Sequence, residues 1–98
     1  MNSITKKPWG YFEILESGNK FLIKKIIVKP GGILSLQSHE NRSEHWIVAE
    51  GQAEVTIDKK IIVLKENESI FIPQGVTHRM ANHKNVDLVI IEMWYGER

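Results

Sequence analysis

The chain of 98 residues carries 13 basic and 12 acidic side chains and no cysteine, which limits the kinds of protein it can be. A chain of this length supports one hydrophobic core, and without cysteine any metal must be bound by imidazole, carboxylate or amide groups. The formal net charge of +1 excludes the strongly basic surface of a typical nucleic-acid-binding domain. We therefore expect a single domain over residues 1–98 that binds no nucleic acid.

The first residues, MNSITKKPWG, contain no apolar segment of the kind found in signal peptides. The aliphatic runs at residues 61–64 and 88–91 are far shorter than the ~20 residues that a membrane-spanning helix needs. These features predict a cytoplasmic protein without membrane contact. Residues 1–12 could form an N-terminal arm or strand, in which Trp9, Tyr11 and Phe12 serve either the core or an intersubunit contact.

Short runs rich in isoleucine and valine alternate with turn residues along the chain. This spacing, with no long segment of 3.6-residue periodicity, predicts an all-β sandwich or barrel. Closure into a barrel or double sheet also protects the edges of the strands. The predicted strands are 10–15, 21–28, 33–38, 44–49, 53–57, 61–64, 69–72, 78–82 and 87–94.

The strand predicted over residues 21–28 raises the question of an interior lysine. One of its faces is apolar except for Lys24, and the opposite face mixes aliphatic and basic residues. Either face could point inward. If the first face does, Lys24 lies inside the protein, where it needs a reason such as an anionic ligand.

Residues 35–46, SLQSHENRSEHW, combine potential metal ligands in a predicted strand, turn and strand. Gln37 and His39 are two residues apart and share one face of the first strand. Glu44 begins the next strand, where alternation turns His45 to the opposite face, and a fourth donor, His78, follows a Pro-x-Gly turn. Two nitrogen and two oxygen donors suit Zn²⁺, Mn²⁺, Fe²⁺, Co²⁺ or Ni²⁺. The alternative is that these side chains decorate a solvated hairpin.

Two spacings resemble the two motifs of the cupin superfamily. The first is G-x5-Q-x-H-x4-E-x6-G over residues 31–51, with Gln37 where that motif has its first histidine. The second is N-x5-P-x-G-x2-H-x3-N over residues 67–82, with Asn67 where glycine is usual. Both replacements are chemically mild, because an amide oxygen can bind a metal and asparagine tolerates a positive φ.

A closer resemblance, covering nearly all of the chain, is to the C-terminal cupin domain of type II phosphomannose isomerases. It implies an all-β, RmlC-like jelly-roll barrel (a double-stranded β-helix), a divalent metal ion bound by Gln37, His39, Glu44 and His78, and a homodimer. In those bifunctional enzymes the cupin follows a mannose-1-phosphate guanylyltransferase domain, whose activity the resemblance does not imply here. The matching segments are KPWG (7–10), FLIK (21–24), VKPG (28–31), LSLQ (34–37), RSEHWIV (42–48) and IPQGVTHR (72–79).

Three departures from the pattern of this family bear on function. Glu40 and Asn41 replace two histidines that usually follow the equivalent of His39, and Trp94 stands where glutamine is frequent. The family also continues into an acidic segment and an arginine-containing tail, whereas this sequence ends at Arg98. If the reaction needs such a tail, we expect this protein either to supply its role otherwise or to lack the function.

The resemblance implies an aldose–ketose isomerase that converts mannose 6-phosphate to fructose 6-phosphate through a cis-enediol. Candidates for the base near carbons 1 and 2 are Lys24 and a metal-bound water molecule, with Glu92 also on the last predicted strand. Arg42 and Arg79 are the candidate phosphate-binding groups, since a guanidinium matches phosphate geometry. Two alternatives remain open: a non-catalytic metal-containing cupin that binds a sugar or metabolite, and another cupin enzyme such as an epimerase or oxygenase.

Overall fold

A computed structural model describes residues 3–97, and within that range the chain forms nine β-strands in two sheets. The six-stranded sheet has the order β1-β2-β3-β9-β4-β7, and the three-stranded sheet has the order β6-β5-β8. All of these neighbouring strands are antiparallel. The strands are β1 (Ile4–Lys7), β2 (Gly10–Ser17), β3 (Phe21–Val28), β4 (Arg42–Glu50), β5 (Ala53–Ile57), β6 (Lys60–Leu64), β7 (Ser69–Ile72), β8 (His78–Ala81) and β9 (Leu88–Gly96).

The segment over residues 33–38, predicted as a strand, is instead joined to β8 by two isolated bridges, and this part of the prediction is wrong. Ile33 is opposite Ala81 and Gln37 is opposite His78, so the register changes by one residue between the bridges. The extra residue forms an irregularity of the β-bulge kind, which interrupts a regular ladder. The second bridge nevertheless places the Gln37 backbone beside His78.

The N-terminal residues contribute β1, which lies within residues 1–12, the segment predicted as an arm or strand. Its four residues are all exposed, so they show no alternation of buried and exposed side chains. Pairing with β2, in the register Lys7 to Gly10, holds it at the edge of the large sheet. Of the nearby aromatic residues, Trp9 and Phe12 pack against the core.

The hydrophobic core consists of inward-facing side chains from both sheets. In β5, Ala53 and Val55 are fully buried, as the alternation predicts. In β9 the inward positions hold Leu88 and Ile90 and then a glutamate, Glu92, so the apolar face gives way to a polar one along the strand. The largest fully buried side chains are Trp46, Ile72, Met80, Leu88, Ile90, Val28, Val48, Val55 and Asn82.

Two of the turns with a positive φ, a backbone conformation that most residues avoid, lie in the segments that resemble the second cupin motif. Asn67 has φ +70°, which agrees with the prediction that asparagine replaces a glycine there. Gly75, with φ +80°, leads from β7 towards β8 and therefore to His78. No helix that could cross a membrane occurs within residues 3–97.

Candidate metal centre and its cavity

A cavity of about 300 Å³ is lined by residues of both sheets. Its apolar wall includes Trp9, Phe12, Leu34, Trp46 and Trp94. Its polar lining combines side chains of both charges, which a cavity filled with apolar ligand would not need. These polar residues are Lys7, Lys24, Ser35, Gln37, Arg42, Glu44, His78, Arg79 and Glu92.

Three of the four predicted metal ligands converge at one place beside this cavity. His39, Glu44 and His78 each present a donor atom, and these atoms lie within 4.8 Å of one another. Glu44 Oε2 is 3.5 Å from His39 Nε2 and 3.6 Å from His78 Nε2. Glu44 and His78 are buried, so their convergence is not a feature of a solvated hairpin.

Two hydrogen bonds orient the buried ligands. Trp46 Nε1 donates to Glu44 Oε1 over 2.9 Å, which leaves Oε2 directed at the histidines. His78 Nδ1 lies 2.8 Å from the Val76 carbonyl oxygen, and since a carbonyl can only accept, Nδ1 carries a proton. In the neutral ring, the lone pair of His78 is then on Nε2, which is the pattern found in metal-binding histidines.

Gln37, the fourth predicted ligand, is tied to His78 through the backbone. The Gln37 backbone nitrogen donates to the His78 carbonyl oxygen over 2.9 Å, and the Gln37 carbonyl oxygen accepts from the His78 backbone nitrogen over 2.8 Å. The Gln37 side chain lines the cavity and donates from Nε2 to Ser35 Oγ over 3.1 Å. Its amide oxygen therefore remains as the group that could bind a cation.

The charges in the cluster favour an ionised carboxylate. Burial alone would raise the pKa of Glu44, but hydrogen bonds from His78 and Trp46, with the charges of His78 and Arg42, lower it to about 2. Burial lowers the pKa of His78, yet the Glu44 carboxylate and the Val76 carbonyl outweigh burial and raise it overall. Burial and Arg42 lower the pKa of His39, which favours a neutral ring.

The spacing of these atoms fits a divalent metal ion. Two ligands about 2.1 Å from an ion at a tetrahedral angle lie about 3.4 Å apart. The separations of 3.5 and 3.6 Å from Glu44 Oε2 to the two histidine nitrogens are close to that value. The donor set of two imidazoles, a carboxylate and an amide is one that first-row transition metals accept.

Arg42, predicted to bind phosphate, is directed at the candidate metal ligands. Its Nη2 lies 2.8 Å from His39 Nε2, and its Nε donates to Glu44 Oε2 over 3.3 Å. Its guanidinium carbon is 3.3 Å from the centre of the Trp94 ring, a stacking contact. The β4–β9 register, which brings Glu44 opposite Trp94, places this aromatic residue at the site.

Lys24 lies on the inward face of β3, so the structure resolves the two orientations that the sequence left open. Its Nζ is 4.2 Å from the ring centre of Phe12 and 3.9 Å from that of Trp94. Burial lowers the pKa of Lys24, although the nearby Glu92 carboxyl opposes that effect. The candidate base is therefore inside the cavity.

Glu92 is opposite Lys24 in the β3–β9 register and is 5% exposed. Burial, followed by the negative charge of Glu44, raises the pKa of Glu92 to about 8. Glu92 is thus a mainly protonated carboxylic acid at neutral pH. The sequence pattern favoured Lys24 over it, although both alternate inward with aliphatic neighbours.

The remaining predicted residues separate into cavity and surface groups. Arg79 is exposed but lines the cavity, together with Lys7 of β1, which the sequence reasoning missed. His45 faces outward as predicted, with its ring 4.7 Å from that of Phe71.

Comparison with known proteins agrees with the family resemblance found in the sequence. The family model described as "Mannose-6-phosphate isomerase C-terminal" matches residues 1–98. The xanthan biosynthesis protein XanB of Xanthomonas campestris and the alginate biosynthesis protein AlgA of Pseudomonas aeruginosa are each 48% identical to this chain over 90 residues. A mannose-1-phosphate guanylyltransferase of Escherichia coli is 47% identical over the same length. Each match covers 92% of this chain and 19% of the relative, so the chain spans about a fifth of their length.

Solved structures establish the fold. An RmlC-like cupin from Shewanella frigidimarina superposes with a TM-score of 0.88 at 23% identity, covering 99% of this chain and 86% of that one. KdgF from Halomonas sp. also gives 0.88, at 16% identity, covering 98% and 89%. The predicted all-β cupin fold is therefore confirmed.

Proposed function

Because the chain belongs to the mannose-6-phosphate isomerase C-terminal family, we propose that it acts as a metal-dependent sugar-phosphate isomerase that interconverts mannose 6-phosphate and fructose 6-phosphate. The observation that carries this proposal is the convergence of His39, Glu44 and His78 beside a cavity that also holds Lys24 and Glu92. Aldose–ketose isomerisation needs an electrophile and a proton-transferring group near the same two carbons.

The candidate ligands Gln37, His39, Glu44 and His78 would hold a divalent ion. When bound, that ion supplies a Lewis acid for the sugar carbonyl and for the enediolate oxygen that replaces it. Trp46 and the Val76 carbonyl keep Glu44 and His78 in the orientation that metal binding needs. A single carboxylate among neutral ligands leaves a divalent site with a net positive charge, which favours an anionic intermediate.

Lys24 and Glu92 are suited to complementary parts of the proton transfer. Lys24, whose pKa is lowered by burial, can take the proton from carbon 2 in its neutral form and return it to carbon 1. Glu92, with a pKa of about 8, can give a proton to the oxygen on carbon 1, and its carboxylate can then accept the proton that the oxygen on carbon 2 loses. The proton count is then unchanged over the reaction, and the enediol is the shared intermediate.

The phosphate group of the substrate requires cations that remain open to solvent. Arg79 and Lys7 line the cavity and are exposed, so a phosphate can reach either of them without losing all of its hydration. Arginine offers paired donors that match the phosphate oxygens.

A coupled assay that converts mannose 6-phosphate to fructose 6-phosphate tests this proposal directly. With added Mn²⁺, Zn²⁺ or Co²⁺, we expect turnover by the 98-residue chain, and a loss of at least about 100-fold in His39→Ala and His78→Ala. Turnover that persists in both variants with bound metal removed would rule out the metal-dependent mechanism.

A binding protein without catalysis is the second candidate. It is favoured by the fact that the chain spans 19% of the length of its curated relatives, whose other parts could contribute to their reactions. In that case mannose 6-phosphate would raise the melting temperature of the metal-loaded protein, while the coupled assay would detect no product.

A further inference from the structure

The Arg42 guanidinium contacts the same atoms that would bind the metal ion. Its Nη2 is 2.8 Å from His39 Nε2, and its Nε is 3.3 Å from Glu44 Oε2. The Arg42 side chain is 14% exposed, so these contacts lie in a largely desolvated place. Charge-assisted bonds in such surroundings are stronger than those on an open surface.

The contact between Arg42 and His39 excludes a metal at the same nitrogen. A guanidinium has donors only, so His39 Nε2 must accept the hydrogen bond with its lone pair. An imidazole nitrogen has one lone pair in the ring plane, and a metal ion needs that lone pair too. Metal binding to His39 Nε2 therefore requires Arg42 to leave.

We propose that Arg42 is an internal cation that a bound metal ion displaces, and that the displaced guanidinium then becomes an anion-binding group of the cavity. Metal and a phosphate monoester would each strengthen the binding of the other. The proposal rests on the metal-binding part of the proposed function and not on isomerisation.

Trp94 determines where the displaced guanidinium can go. Its ring centre is 3.3 Å from the Arg42 guanidinium carbon and 3.9 Å from Lys24 Nζ, so one indole contacts two cations. Moving Arg42 away from Glu44 while it stays on the indole keeps it within the cavity, near Lys24. Two neighbouring cations, one no longer neutralised by Glu44, would attract a phosphate dianion.

The coupling between metal and phosphate is reciprocal. In the absence of phosphate, the metal has to replace the favourable contacts of Arg42 with Glu44 and His39. A phosphate that binds Arg42 compensates for that loss and so raises the metal affinity by the same factor by which metal raises phosphate affinity. Coupling between two sites of this kind is typically about 5- to 150-fold.

The first measurement is the affinity for Co²⁺, which is determined by calorimetry and from the visible absorption of the bound ion. We expect Arg42→Gln to bind Co²⁺ about 10-fold more tightly than the unmodified chain, because no cation has to be displaced. Trp94→Gln, which removes the stacking surface but keeps Arg42, should give an intermediate affinity. Equal or weaker Co²⁺ binding in both folded variants would overturn the proposal, and Trp94→Gln decides the question if Arg42→Gln does not fold.

The second measurement uses sorbitol 6-phosphate, which has no carbonyl group and cannot isomerise. Its affinity for the unmodified chain should rise at least about 5-fold when Co²⁺ is bound. In Arg42→Gln this rise should disappear. A rise of the same size in that variant would show that the coupling does not need Arg42 and would overturn its role.

Arg79→Gln is the matched control, since Arg79 also lines the cavity but is exposed. It should weaken sorbitol 6-phosphate with and without Co²⁺ by similar factors and leave the Co²⁺ affinity unchanged. Tighter Co²⁺ binding in this control would mean that any loss of positive charge has the effect, and would contradict a specific role of Arg42. Neither measurement depends on turnover, so a negative isomerase assay would leave the result intact.

Discussion

Two carboxyl groups on the cavity wall are almost equally buried and yet differ in charge. Glu44 is 3% exposed and Glu92 is 5% exposed, but the pKa of Glu44 is lowered to about 2 and that of Glu92 is raised to about 8. His78, Trp46 and Arg42 lower the pKa of Glu44 on β4. Burial and the negative charge of Glu44 raise the pKa of Glu92 on β9. Burial penalises both charged forms, but the hydrogen bonds and positive charges around Glu44 outweigh that penalty, whereas those around Glu92 do not.

This contrast divides the cavity into two halves with different chemistry. The half around Glu44 offers a fixed negative charge with two imidazoles, which suits a metal ion. The half around Glu92 and Lys24 offers a neutral acid and a lysine whose pKa is lowered by burial, which suits proton transfer. The two halves meet at Trp94, which contacts both Arg42 and Lys24.

The largest expected effect comes from removing the negative charge from the half of the cavity around Glu44. Glu44→Gln keeps the shape of the side chain but removes its negative charge, so we expect metal affinity to fall by at least about 100-fold. Glu92→Gln is the matched control and should retain metal. Elemental analysis after dialysis measures both, and similar metal contents in the two variants would contradict the division.

The second effect concerns turnover alone. Lys24→Met preserves the length of the side chain and its contacts with Phe12 and Trp94 but cannot accept a proton. We expect a loss of about 10²- to 10⁴-fold in kcat, the usual contribution of a general acid or base, with the metal content unchanged. Steady-state kinetics on metal-loaded protein provide the test, and an unaltered kcat would exclude Lys24 as the base.

The third effect is a pH dependence of stability. The folded pKa of Glu92, about 8, is above its ordinary value of 4.5. Its contribution to stability is therefore fully present below pH 4.5 and is lost as the pH rises through 8. Each pKa unit corresponds to about 1.4 kcal/mol, so the loss could reach a few kcal/mol.

Urea unfolding of metal-free protein at pH 5 and pH 8 measures this dependence. In Glu92→Gln the decrease in unfolding free energy between the two pH values should be smaller than in the unmodified chain. Glu44 behaves oppositely, because its lowered pKa makes its contribution present above pH 4.5 and lost only as the pH falls through about 2. Equal slopes in the two proteins would show that Glu92 titrates normally.

The smallest effect is expected one residue from Glu44. His45 faces away from the cavity against Phe71, so His45→Ala should leave metal affinity unchanged and stability within about 0.5 kcal/mol. Calorimetric titration with Co²⁺ and thermal unfolding check both values. A clear loss of metal in His45→Ala would mean that the alternation along β4 does not separate the ligands from the surface.

Much of the arrangement follows from sequence periodicity. Alternation along short strands predicts the all-β fold, and it places Glu44 and Trp46 on one face and His45 on the other, as the structure shows. The resemblance to the second cupin motif implies the positive φ at Asn67, and the Pro-x-Gly turn predicts the one at Gly75. Such features are local, because the direction of a side chain on a strand depends on its position along that strand.

Other features depend on contacts between strands that are distant in sequence. Lys24 is interior because β3 pairs with β9 and faces the cavity, although the sequence of β3 alone allows either face. Arg42 stacks on Trp94 because the β4–β9 register brings these two residues together. The protonated state of Glu92 likewise results from burial and from the charge of Glu44, which only the packed sheets bring close to it.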